Sequence, residues 1–184
     1  LFVAGSLGGS LMTSTNTIAW TARTSALSEI TSITFGEGLF VAVGASGSTR
    51  VMTSPDGITW TGRSAAINIS WKSVVYGNDI FVALSQSGQH RVMISATGTS
   101  WSTTTSQFLT TWNSVTYGNG KFVGVSSSGT GDRVMTSNSG TYYNNTEYYK
   151  GISLVEVTND AGNTVYGSVS NPTSDTFSVP LTTT

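Results

Sequence analysis

Three arginines return at one spacing: Arg50, Arg91 and Arg133, each two residues ahead of a methionine. Guanidinium groups bind carboxylates through paired, charge-assisted hydrogen bonds, so a converging trio would make an anion clamp. Convergence needs residues from different positions of a repeat, and these three share one position. They are therefore expected at equal depth around the molecule, in a structural role or as a ring of positive charge on one face. A second group, Tyr142, Tyr143, Glu147, Tyr148 and Tyr149, has residue types that sugar hydrolysis can use, a phenol for attack beside a carboxylate. Tyrosines this dense more often form a strand face or a platform on which pyranose rings stack, and these four are the candidate glycan-stacking residues. Other carboxylates fall mainly in turns, at Glu37, Asp56, Asp79, Asp132, Asp160 and Asp175, where side-chain bonding to the turn backbone accounts for them. His90 is the single histidine and there is no cysteine, so no metal set and no cofactor is expected. The Gly-x-Gly pairs lie between strand-like runs with no following helix, which argues against a phosphate loop. No catalytic residue is assigned.

The elements that must position these residues are repeated. All four methionines, Met12, Met52, Met93 and Met135, occupy one repeat position, with steps of 40, 41 and 42 residues. An aromatic follows eight residues later, at Trp20, Trp60, Trp101 and Tyr143, and a Phe-Val pair precedes, at Phe2, Phe40, Phe81 and Phe122. Between copies runs a further element, Trp71-Lys72-Ser73-Val74-Val75-Tyr76-Gly77 and Trp112-Asn113-Ser114-Val115-Thr116-Tyr117-Gly118, matched more loosely by Ile30-Thr31-Ser32-Ile33-Thr34-Phe35-Gly36. Each period holds four short β-branched and aromatic runs, in the second copy at 30–35, 39–44, 50–54 and 58–63. Glu37-Gly38, Asn78-Asp79 and Asn119-Gly120 suit tight hairpins of positive φ between the first two runs. Gly47, Gly88 and Gly129 mark the second connection, and Pro55-Asp56-Gly57 the third.

A four-stranded meander cannot bury both faces alone, so successive sheets must stack, and radial stacking is the usual solution at a period near 41. The expected fold is all-β: a β-propeller-like array of four-stranded antiparallel blades, with a short C-terminal β segment. The repeated Met, Phe and Trp positions are expected to fill the spaces between blades. The array should span 1–143, as a partial copy at 1–23 and copies from 30, 71 and 112. The opening residues read as the second strand of a copy whose first strand is missing, which suggests a piece of a longer protein. Residues 144–184 read as a degenerate repeat or as a linker to another module. In the first case the run 152–158 supplies the missing first strand of the opening copy and closes a ring.

Net charge is −1 with 9% charged residues, which argues against nucleic acid as a partner. No apolar run is long enough to span a membrane as a helix, and no membrane insertion is expected. Ser, Thr and Asn dominate the polar positions instead.

Ser54-Pro55-Asp56-Gly57-Ile58-Thr59-Trp60 resembles the Asp-box of bacterial-neuraminidase-type repeats, the Ser-x-Asp-x-Gly-x-Thr-Trp hairpin of sialidase-like propellers, with one residue fewer between Asp and Gly. Ser14-Thr15-Asn16-Thr17-Ile18-Ala19-Trp20, Ser95-Ala96-Thr97-Gly98-Thr99-Ser100-Trp101 and Ser137-Asn138-Ser139-Gly140-Thr141-Tyr142-Tyr143 are weaker copies. The resemblance covers residues 1–143 and implies a propeller in which the box is a structural turn away from any active site. The run Trp-x-Ser-Val-x-Tyr-Gly-Asn-Gly-x-Phe-Val is similar to repeats of phage tail-fibre and other virion appendage proteins. These features together predict a non-enzymatic structural and binding module, extracellular or on a virion, with a surface glycan or protein receptor as ligand. Other subunits of an appendage are expected partners, a homo-oligomer among them. The alternatives are a fragment of a sialidase-like glycoside hydrolase and a purely structural assembly subunit.

Overall fold

The computed structural model describes residues 1–104, 109–129 and 133–137, and the backbone of strands Leu154–Thr158 and Thr164–Val165. Every regular element among them is a strand. The first sheet has three strands, β1 (Phe2–Gly5), β2 (Leu11–Ser14) and β3 (Thr21–Arg23). The second has four, β4 (Ser32–Gly36), β5 (Leu39–Val43), β6 (Val51–Ser54) and β7 (Thr61–Arg63). The third is β8 (Trp71–Gly77), β9 (Ile80–Ser85), β10 (Val92–Ser95) and β11 (Ser102–Thr104). The fourth comprises β12 (Trp112–Gly118), β13 (Lys121–Ser126), β14 (Val134–Ser137), β15 (Leu154–Thr158) and β16 (Thr164–Val165). Within each sheet the strands are antiparallel and keep chain order.

The hairpins between first and second strands turn as their residues require. Both central residues have positive φ: 50° and 69° at Glu37 and Gly38, 46° and 59° at Asn78 and Asp79, 50° and 75° at Asn119 and Gly120. That is the primed turn whose twist matches paired strands. Across each hairpin the aromatics stand opposite one another, Phe35 to Phe40, Tyr76 to Phe81 and Tyr117 to Phe122, with ring centroids 4.5, 4.8 and 4.7 Å apart.

Two strand starts differ from the expectation. The fourth strand of the second sheet begins at Thr61, not at 58, because the Asp56 carboxylate takes the backbone N–H of both Ile58 and Thr59, each at 2.8 Å. Those donors are lost to the ladder. The first strand begins at Ser32, not at 30; the N–H of Ile30 bonds instead to the Ser6 carbonyl of the preceding sheet.

Stacking follows from β9. Ile80, Val82 and Leu84 belong to the core shared with the fourth sheet, while Phe81 and Ala83 belong to the core shared with the second. Both faces are covered, so the strand reads as an unbroken apolar run with no polar alternation. The cores repeat: Met52 packs between sheets one and two, Met93 between two and three, Met135 between three and four. First strands β4, β8 and β12 lie against one another in succession. β4 and β8 each carry a serine that clasps the next: the Ser32 hydroxyl accepts from the Val74 N–H at 3.1 Å, and that of Ser73 from the Val115 N–H at 3.1 Å. One backbone donor on each of the edge strands β8 and β12 is thereby satisfied by the neighbouring sheet. Immediately before the turn residues, Gly36 and Gly77 have no side chain because the rings of Tyr76 and Tyr117 occupy that space.

The ring-closing alternative for 152–158 is not what the backbone adopts. β15 pairs with β14, Thr136 opposite Glu156 and Ser137 opposite Leu154, at the position that β3, β7 and β11 hold in their own sheets. It does not join β1, because β14 offers the free edge that a fourth strand fills in every other blade.

Candidate functional site

In an antiparallel meander, the turns joining strands one to two and three to four share one end, and the connections joining two to three share the other with the links between blades. The arginines lie at the second end. Arg91 donates through Nε to the Gly88 carbonyl at 2.8 Å, and through Nη1 to the carbonyls of Gln86 and Thr110, so it ties its loop to the link entering the next blade. Arg133 donates through Nε to the Gly129 carbonyl at 2.9 Å. Arg50 buries Nε and Nη1 without a hydrogen-bond partner among the described residues. The three stand on separate blades at one repeat position. His90 sits beside Arg91 with its Nδ1 buried. Among the described residues no group of His, Asp or Glu has the clustering that holds a metal ion.

The first end is built from turns whose polar groups bond inward. In the second blade the Ser54 hydroxyl donates to Asp56 Oδ1 at 2.8 Å and accepts from the Gly57 N–H at 2.8 Å, and Trp60 Nε1 donates to the Gly57 carbonyl at 2.9 Å. The first blade repeats this with Asn16 in place of the carboxylate and Thr17 in place of the glycine. The third uses Thr97. The backbone donors of Thr59 and Ile58, with the Ser54 hydroxyl, hold the Asp56 carboxyl down at about 2. At the same end the Tyr76 hydroxyl donates to Glu37 Oε1 of the preceding blade at 2.6 Å. That bond, to an acceptor that favours the protonated phenol, and burial push Tyr76 up to about 12. Both carboxylates hold the fold, one a turn and the other a blade contact. Among the exposed residues of this end are two large apolar ones at one repeat position, Ile18 and Ile58.

Tyr142, Tyr143, Tyr148 and Tyr149 lie outside the described residues, in the stretch 138–153 between β14 and β15. The ends of β14 and β15 that flank this stretch are at the same end of the blade as the Asp56 turn.

The repeat positions separate by neighbourhood. Met52 and Met93 are fully buried and Met135 is 5% exposed, whereas Met12 is 37% exposed. Phe81 and Phe122 are buried, Phe40 packs on Trp60 with centroids 6.3 Å apart, and Phe2 is exposed. Trp60 and Trp101 pack against the cores and Trp20 stands in the open. Sequence reading missed the serine clasp and the two glycines under tyrosine rings. Their signal was present in the recurrence of Ser and Gly within the first-strand motif, where ladder pairing asks for neither.

No family model matches the chain, and no curated protein sequence matches it. Its fold is similar to that of YCF48, in a solved structure described as YCF48 bound to D1 peptide, with a TM-score of 0.56 at 19% identity over 76% of this chain. The match takes in 48% of YCF48, so this chain spans about half the length of that one. YCF48 is a β-propeller. The protein is an all-β array of propeller blades, and likeness at this identity concerns the fold.

Proposed function

We propose that the chain is a non-catalytic binding module of an extracellular surface or a virion appendage such as a tail fibre, and that its ligand is a surface glycan. One observation carries this reading: four of the charged groups weighed for catalysis or anion capture are engaged in holding the fold. Asp56 closes a turn, Glu37 bonds the next blade's Tyr76, and Arg91 and Arg133 bond loop carbonyls. Left facing outward are hydroxyl and amide groups with apolar tips, the chemistry that hydrogen-bonds sugar substituents and stacks on their rings. Kinship with Asp-box repeats belongs to the same reading, supported by the Ser54-Asp56-Gly57 turn. Tyr142, Tyr143, Tyr148 and Tyr149 are the stacking residues it names, for the density of their aromatic faces in the sequence. The peptide held by YCF48 offers a fold-level analogy for a protein receptor instead.

A glycan array followed by calorimetry on the best ligand tests this. Binding without release of reducing sugar is expected, with affinity falling roughly tenfold when Tyr148 and Tyr149 are changed to Ala, the loss of about one stacked aromatic contact. Sugar release, or binding to protein receptors with no glycan bound, overturns the reading.

A further inference from the structure

A backbone nitrogen can close on the side-chain carbonyl of the residue before it, and a glycine at the nitrogen leaves that approach unhindered. The chain holds one Asn-Gly pair, Asn119-Gly120, and one Asp-Gly pair, Asp56-Gly57. The fold treats them oppositely. Asp56 Oδ1 accepts from the Ser54 hydroxyl and from the N–H of Ile58 and Thr59, and the Gly57 N–H donates to the Ser54 hydroxyl, so both reacting groups are held in other bonds. Asn16 is locked by the same kind of bonds in the first blade, and Asn113 accepts from Gln86 Nε2. Asn68 and Asn78 precede Ile69 and Asp79, whose side chains crowd the nitrogen. Asn119 and Gly120 are instead the two central residues of an exposed hairpin. Gly118 and Lys121 pair at its base, so the ladder takes their N–H groups and leaves that of Gly120 outside it.

We propose that Asn119 is a site of spontaneous deamidation, and that the hairpin carries it through the reaction without unfolding. The Gly120 nitrogen gives up its proton to base and attacks Asn119 Cγ. The new N–Cγ bond closes a five-membered succinimide, and the Cγ–Nδ2 bond breaks as ammonia leaves with a proton from water. Water then opens the ring. Attack at Cγ breaks the new bond and leaves aspartate, whereas attack at the main-chain carbonyl carbon of residue 119 breaks its bond to Gly120 and leaves isoaspartate. Ring closure swings the Gly120 nitrogen to Cγ, which needs ψ of about −120° at residue 119, the value of the first central residue of a type II′ turn. The hairpin starts as type I′, with φ of 50° at Asn119 and 75° at Gly120. Turning over the one peptide unit between them converts type I′ to II′, and Gly120 accepts the new φ because it has no Cβ. Both turns fit a two-residue hairpin, so the succinimide forms with β12 and β13 still paired. The products differ in consequence. Aspartate keeps the primed turn, but isoaspartate adds a methylene to the main chain, and two residues no longer set Gly118 against Lys121 and Tyr117 against Phe122. The Tyr117 ring is what fills the space beside Gly77, so the fourth blade then loosens on the third.

Incubation at mildly alkaline pH of the folded protein, and of the chain unfolded in urea, tests the proposal, read by peptide mass mapping and by an isoaspartyl methyltransferase assay. Asn119 should convert in both, with the folded rate within roughly a hundredfold of the unfolded one, the cost of one strained turn residue. The rate should rise with pH, because the nitrogen must lose its proton. Asn16, Asn68, Asn78, Asn113 and Asp56 should stay intact in the folded protein over the same interval. The isoaspartate product, separated by ion exchange, should melt below the parent, whereas Asn119→Asp should melt with it. Suppression by folding beyond that ratio, or faster conversion at any of the other named positions, overturns the proposal. An isoaspartate product that melts with the parent overturns the loosening of the blade contact.

Discussion

Truncating the four methionines one at a time separates packing from sequence, because the residue and its repeat position are held constant while the neighbour changes. Met93 is fully enclosed between the second and third blades. Met93→Ala removes its thioether and leaves a cavity walled by Val41, Val43, Trp71 and Phe81, which the flanking sheets cannot close without moving. Large-to-small changes of this kind cost about 2–5 kcal/mol. At roughly 2–4 °C per kcal/mol for a chain of this size, a loss of about 3 kcal/mol lowers Tm by about 6–12 °C. Met52→Ala and Met135→Ala should fall in the same range. Met12 lines an open face, so Met12→Ala encloses no cavity and forfeits only partial burial, about 1 kcal/mol or less. Equilibrium unfolding in urea followed by tryptophan fluorescence reads all four. If Met12→Ala destabilises as much as Met93→Ala, the first blade is covered in the free molecule and the stacking order derived above is wrong.

Two further substitutions follow from blade contacts and turn chemistry. Gly77→Ala drives a methyl group into the Tyr117 ring and should cost about 1–3 kcal/mol, on the scale of an overpacked core, while Gly118→Ala, with nothing near its Cβ, should leave Tm almost unchanged. Asp56 has a carboxyl held below its ordinary value of 3.8, at about 2. Its contribution to stability is complete above the higher value and is lost as pH falls through the lower one. A carboxyl titration by NMR should place its midpoint near 2, and Asp56→Asn should remove that part of the acid dependence while keeping the turn that Asn16 forms in the first blade. A midpoint at or above 3.8 would contradict the hydrogen bonding assigned to the turn.

Much of this architecture was legible in the sequence because a repeat displays the same constraint several times. The primed hairpins were readable from Glu37-Gly38, Asn78-Asp79 and Asn119-Gly120, since left-handed backbone admits few residue types. Stacking was readable from the period near 41, since a lone four-stranded meander cannot bury both its faces. Residues 58–60 read as strand by composition, and the competing force was local: one carboxylate captured two backbone donors. Burial was the least legible. Met12 and Met93 are equivalent in sequence, and what distinguishes them is whether another blade lies alongside. The placement of β15 against β14 was hidden for a similar reason, because the fourth copy inserts a long stretch before its fourth strand and the repeat spacing no longer marks it. The candidate tyrosines fall in that stretch, outside the described residues, so the site is less legible than the fold.

Amide hydrogen exchange, resolved strand by strand at low protein concentration, tests the stacked-blade account most directly. Protection tracks the free energy needed to open each strand. The account predicts the slowest exchange in β9 and β10, covered on both faces, with β1 and β14, where Phe2 and Val134 are exposed, exchanging orders of magnitude faster. Equal protection in β1 and β9, or slower exchange in β1, would contradict it.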